Sequence, residues 1–223
     1  MGVNISDIIP KKEIEVKDLR GKVIAIDAFN TLYQFLTTIR QMDGTPLKDE
    51  KGNITSHLSG LFYRNINLIT EGIKPVYVFD GKPPELKRQE AERRSKIKQE
   101  AQKKYEEAKI ADDIDGMRKY SARTVKITKE IISESKELLT ALGIPVIQAE
   151  GEGEAEAATL AKEKLVWGAA SQDYDAVLYE TPYLVRNLTL ARRRKTPSGI
   201  YIEVKLELIE SENVLRELEI NRD

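Results

Sequence analysis

The sequence predicts an α/β fold: a mostly parallel central sheet flanked by helices, with a charged helical segment protruding from it. Three observations lead there. Short runs rich in Val and Ile recur along the 223 residues, helix-patterned stretches lie between most of them, and one long segment is nearly bare of large apolar side chains. Alternation of strand and helix implies parallel strands covered on both faces.

In chain order, "KVIAID" (22–27) and "KPVYVFD" (74–80) are the first two predicted strands. Between them "TSHLSGLFYRNINLITEG" places Leu58, Leu61, Phe62, Ile66 and Ile69 at helical spacing and closes on Gly72 as a C-cap. The segment from Gly81 to about Arg123 holds strong helix formers behind Pro83 and Pro84, which predicts long exposed helices broken near Asp112 to Gly116. Residues 82–130 carry fifteen Lys or Arg against ten Asp or Glu, so this arm has a basic excess. A helix is predicted over "ARTVKITKEIISESKELLTALG", with Val125, Ile131, Ile132, Leu138, Leu139 and Leu142 on one stripe before Gly143. The strands "GIPVIQA" (143–149), "LVWGAAS" (165–171) and "YLVRNL" (183–188) follow, and "LARRRKTPSG" (190–199) reads as a basic hairpin tip.

Composition narrows the chemistry. A hydrophobic content of 40% supports a real core, while no apolar run approaches the roughly 20 residues of a membrane span, and the start "MGVNISDIIPKKEIEV" lacks a signal-peptide apolar region. The expected setting is intracellular. Zero cysteines exclude disulfides and thiolate chemistry, and His57 is the one histidine, so carboxylates, lysines and arginines must do any catalysis.

Those carboxylates recur at strand ends. Asp27 and Asp80 end the first two strands, Glu152 and Glu154 of "EGEGEAEAA" follow the third, and Asp173 and Asp175 of "SQDYDA" follow the fourth. Each taken singly is an ordinary turn former or N-cap. In a parallel sheet, however, the strand ends share one edge, where open α/β sheets build their sites. If 173–175 is extended, Asp173 and Asp175 face the same way and repel, so a cation is expected between them. Glu152 and Glu154 diverge on a regular helix, which puts Gly151 to Gly153 in the turn and the helix start near Glu154, with Glu150 and Glu156 toward solvent. Grouped acids without His or Cys suit Mg²⁺ or Mn²⁺, and two such ions about 4 Å apart activate water and stabilise the leaving oxygen of a phosphodiester.

Cations accompany the acids. Lys87 and Arg94 lie seven apart, two helical turns on one face, just after Asp80; they fit a scissile phosphate or plain surface charge equally well. Arg40 and Arg64 suit other phosphates, and Tyr33 offers a ring on which a base stacks, or a core residue.

The stretches "IDAFNTLYQFL", "RQMDGTPL", "TSHLSGLFYRNINL", "KPVYVFDGKPPELK", "GEGEAEAA", "AASQDYDAVLY" and "LVRNLT", in this order along the whole chain, resemble the flap endonucleases in their archaeal form. The resemblance implies a 5′ nuclease, PIN-like fold that cuts 5′ single-stranded DNA flaps at a duplex junction in replication and repair, with two Mg²⁺ ions and Mn²⁺ as a substitute. By this resemblance Asp27, Asp80, Glu152, Glu154, Asp173 and Asp175 match the family's metal-binding acids. Lys87 and Arg94 match its catalytic arch residues, Arg40 and Arg64 its DNA contacts, and Tyr33 its stacking aromatic. It divides the chain into an N-terminal nuclease region (1–98), a helical arch continuation (99–120) and an internal nuclease region (121–223).

Two departures stand out. Glu150-Gly151 replaces the family's Pro-Ser before the first glutamate. Past the stretch matching "LRELEINRD" the family continues into a helical duplex-binding motif with a further metal-binding aspartate, then a sliding-clamp peptide. The expectation is therefore the catalytic half of an archaeal cytoplasmic enzyme, without the clamp-binding tail. A non-catalytic DNA- or protein-binding module and a PIN-like ribonuclease are the alternatives; six mutually repelling acids disfavour the first, and the Lys87/Arg94 arm disfavours the second.

Overall fold

The computed structural model describes residues 5–82, 88–189, 193–195 and 200–221. Its strands are β1 (Lys12–Ile14), β2 (Val23–Asp27), β3 (Lys74–Phe79), β4 (Val146–Gln148), β5 (Gly168–Ala170), β6 (Tyr183–Arg186), β7 (Arg193–Lys195), β8 (Tyr201–Glu203) and β9 (Leu206–Glu210). The helices are α1 (Ala28–Thr38), α2 (Ser56–Thr70), α3 (Arg88–Ile110), α4 (Ile114–Ser121), α5 (Lys129–Ala141), α6 (Gly153–Lys162), α7 (Asp175–Leu178) and α8 (Ser211–Glu217). None of the described helices is long and apolar enough to cross a membrane.

The chain forms two compact units, Met1–Thr31 with Arg64–Gly81 and Ile144–Asp223, and Leu32–Tyr63 with Lys82–Gly143. The first holds a seven-stranded sheet in the order β1-β9-β6-β5-β2-β3-β4. From β4 to β6 all neighbours run parallel, whereas β9 runs antiparallel to β6 and β1. The four acid-bearing strands therefore lie side by side as β5-β2-β3-β4, pointing the same way. Ala25, Val78, Ala169, Leu184 and Ile209 form its core with Ala157 and Ala161 of α6. Small residues there let α6 lie close on the sheet. At the opposite, strand-start edge the Trp167 and Tyr183 rings stack at 4.5 Å and 7°, with Lys22 Nζ 5.0 Å from the Trp167 ring.

The second unit is helical. Leu36, Val125 and Ile131 form a small cluster with Ile54 and Ile127, and α3 packs along α4. The predicted break falls between Ile110 and Ile114, where Asp113 caps α4 by accepting from Gly116 N at 2.9 Å. The predicted helix start at Pro83 and Pro84 lies outside the described residues.

Four expectations need correction. The helix predicted from Ala122 begins only at Lys129, because Thr128 takes the N-cap position and its Oγ1 accepts from Ile131 N at 3.4 Å; Val125 is buried but off the helix. On α2 the buried stripe is His57, Leu61, Asn65 and Leu68, whereas Phe62, Ile66 and Ile69 are exposed. Each polar residue taking an inward position there has one side-chain partner: His57 Nε2 meets Glu134 Oε2 at 3.0 Å, and Asn65 Nδ2 donates to the Tyr77 hydroxyl at 3.2 Å. Segment 173–175 is not extended, since Asp173 sits in a bend and Asp175 opens α7. The edge pair β1 and β9 was absent from the sequence expectation. The basic hairpin is present as β7 pairing β8, its tip lying outside the described residues.

Candidate metal centre

Each acid is positioned by the backbone turn that follows its strand. Asp27, the last residue of β2, is 9% exposed and accepts from Asn30 N at 3.0 Å, closing the first turn of α1. Burial pushes its carboxyl up to about 7; the Asn30 amide opposes this, and the charges of Asp80 and Asp173 add to it.

Asp80 directly follows β3, and its Oδ1 accepts from Gly153 N, the first amide of α6, at 2.7 Å. The loops after β3 and β4 are zipped together by Ala149 N donating to Phe79 O at 2.9 Å and Gly81 N to Gly151 O at 2.6 Å. Gly153 is required: a Cβ there would stand 2.7 Å from Asp80 Oδ1 and 3.1 Å from Val78 O. Glu152 is the N-cap residue of α6, and Glu154 lies in its first turn. Glu150 is exposed as expected, whereas Glu156 is half-buried.

Glu154 is pushed up to about 8, first by burial and then by Asp27, Asp173 and Asp175. Its Oε1 accepts from Ala176 N of α7 at 3.2 Å, and Ser171 also hydrogen-bonds it. Five of the six predicted acids therefore act on one another, and Glu152 stands at the N-cap of the helix that carries Glu154. Among the described residues no three His, Cys, Asp or Glu side chains are gathered closely enough to clasp one ion as they stand. Carboxylates with no cation between them repel, and hard cations keep water between themselves and part of their ligands. An all-oxygen donor set with raised proton affinity at its buried members fits Mg²⁺ or Mn²⁺.

Two supporting residues escaped the sequence reading. Arg186 of β6 donates from Nε and Nη2 to Gln172 O at 3.2 and 3.1 Å, lies 4.1 Å over the Tyr174 ring, and pairs through Nη1 with Glu207 Oε2 at 2.7 Å. It thereby holds both chain neighbours of Asp173. A charge inside the apolar run "YLVRNL" was the available signal. The other, Tyr179 at the end of α7, donates its hydroxyl to Glu152 Oε2 at 3.1 Å.

Tyr33 of α1 is 43% exposed, with Lys98 Nζ 5.9 Å from its ring. Arg40 donates to Leu36 O at 2.9 Å, Gly44 O at 2.7 Å and Ser121 Oγ at 2.8 Å, so Nε and Nη1 are engaged within the fold. Arg64, half-buried on α2, lies near the buried Tyr77 hydroxyl. Arg94 falls on α3, and Lys87 lies outside the described residues.

The XPG N-terminal domain model matches residues 1–101, and the XPG I-region model matches residues 143–223. Flap endonuclease 1 of Pyrococcus abyssi is 57% identical over 224 residues, covering 100% of this chain and 65% of that protein. The flap endonuclease-1 structure from Methanococcus jannaschii is 44% identical with TM-score 0.73, over 99% of this chain and 66% of that one. The catalytic core of Rad2 in complex with DNA substrate is 27% identical with TM-score 0.63, over 95% of this chain and 54% of that one. This chain thus spans about two thirds of the length of the curated relatives it matches.

Proposed function

The chain belongs to the flap endonuclease family, and from that premise we propose that it hydrolyses DNA phosphodiesters at the junction of a 5′ single-stranded flap with duplex, using two bound Mg²⁺ ions. The observation that carries this reading is the set of acids at the ends of four adjacent parallel strands, with Asp27 and Glu154 driven to hold protons by burial and by neighbouring carboxylates. Such a set is costly to a fold unless a multivalent cation discharges it.

In this reading Asp27, Asp80, Glu152, Glu154, Asp173 and Asp175 hold the ions, directly or through water. When bound, the ions supply Lewis acidity toward the phosphoryl and leaving oxygens. Backbone amides of Asn30, Gly153 and Ala176 fix the carboxylates of Asp27, Asp80 and Glu154, so little reorganisation is left for the reaction itself. Lys87 and Arg94 stabilise charge developing on the scissile phosphate, Arg40 and Arg64 hold neighbouring phosphates, and Tyr33 stacks a base beside the cleaved bond. These five roles rest on the family resemblance.

The test is cleavage of a 5′-labelled flap by the 223-residue chain in Mg²⁺ and in EDTA, beside a plain single strand of the same sequence. Metal-dependent cutting at the junction is expected. A folded chain that binds the flap and never cuts it would make this a DNA-binding module instead.

A further inference from the structure

Helix α7 has only four residues, yet it grips both glutamates at the start of α6. Its Ala176 amide donates to Glu154, and the Tyr179 hydroxyl at its far end donates to Glu152 Oε2 at 3.1 Å. Tyr179 is itself tied down, because its N–H donates to Asp175 O at 3.1 Å. The next residue, Glu180, has φ +62, a left-handed conformation that side-chain-bearing residues adopt at a cost, and it forms an ion pair with Lys162 at the end of α6. Neighbouring side chains thus fasten α7 to both ends of α6.

We propose that Tyr179 is a positioning residue for the metal centre, orienting the Glu152 carboxylate toward a divalent cation. The inference rests on the reading of Glu152 as a metal ligand. A phenol suits this task because it donates one hydrogen bond to a carboxylate and carries no charge at neutral pH. Lysine or arginine in its place would cancel the charge that draws the cation. With Oε2 engaged by the Tyr179 hydroxyl, the Glu152 carboxylate is held in one orientation. Tyr179 is 39% exposed, so its ring is not a core residue.

The experiment is titration of the 223-residue chain with Mn²⁺, followed by electron paramagnetic resonance of the free ion. Wild type, Tyr179→Phe, Glu152→Gln and the double variant are compared, with thermal melting of each. Tyr179→Phe is expected to bind Mn²⁺ about tenfold more weakly, the low end for loss of a group behind a ligand, with its melting temperature unchanged. In the Glu152→Gln background the same change should have no further effect, because its route is gone. Wild-type affinity in Tyr179→Phe, alongside weakened binding in Glu152→Gln, would overturn the proposal and leave the metal centre standing. An equal loss with and without Glu152 would also overturn it, by showing that the ring acts some other way. Unchanged Mn²⁺ binding in Glu152→Gln would instead remove Glu152 from the metal centre, and the premise with it.

Discussion

In the sheet-based unit, charge is fixed in place: Asp27, Asp80 and Glu154 each accept a backbone amide, and Asp27 and Glu154 are desolvated as well. In the helical unit, charge is carried on long side chains over α3, where Ile97 and Ile110 are themselves exposed and the apolar cluster is small. The acids cost the fold stability in return for a preorganised site, whereas lysines and arginines with solvated heads cost it little. Mutations in the two units should therefore separate cleanly into those that disturb a site and those that disturb a surface.

The largest effect belongs to the acids. Asp173→Asn should lower flap cleavage by about 10³-fold or more while DNA binding stays within about twofold; cleavage by this variant at wild-type rate in Mg²⁺ would break the comparison. Arg186→Ala should cost about 2 kcal/mol in urea unfolding, because it removes the nearer of the two cations beside half-buried Glu207, leaving Lys11 at 3.8 Å, and releases Gln172 and Tyr174. Gly153→Ala, whose added methyl would crowd Asp80 Oδ1, should weaken Mn²⁺ binding about tenfold in calorimetry.

A gentler effect follows from protonation. The folded carboxyls of Asp27 and Glu154 sit at about 7 and about 8, against ordinary values of 3.8 and 4.5. Between about pH 4 and pH 8 the folded chain thus retains protons that the unfolded chain has released, so stability falls as pH rises through that window. In EDTA the urea midpoint should be lower at pH 8 than at pH 5, and Asp27→Asn should shrink the difference. Smallest of all, Lys98→Ala should change stability by no more than about 0.5 kcal/mol, the scale of an exposed cation over a ring.

The sequence made β2 and β3 legible because their Val and Ile runs are buried on both faces, and strand-end acids then share an edge by topology alone. It hid β1 and β9 for the opposite reason: "KEI" is largely exposed, and "LELIE" mixes charge into a strand near the margin of the sheet. The α2 stripe was misassigned since His57 and Asn65 are core residues only by virtue of Glu134 and Tyr77, partners remote in sequence. Tyr179 and Arg186 were hidden likewise, because their roles exist only once α6, α7 and β9 are assembled.

The stacked Trp167 has a practical consequence. It is the one tryptophan of the chain and belongs to the sheet-based unit, while the one histidine, buried His57, belongs to the helical unit. Indole fluorescence and the imidazole proton resonance are therefore two native, label-free reporters, one per unit. Followed through a single denaturation, they would tell whether the unit bearing the acids and the unit bearing the basic helices come apart together or in turn.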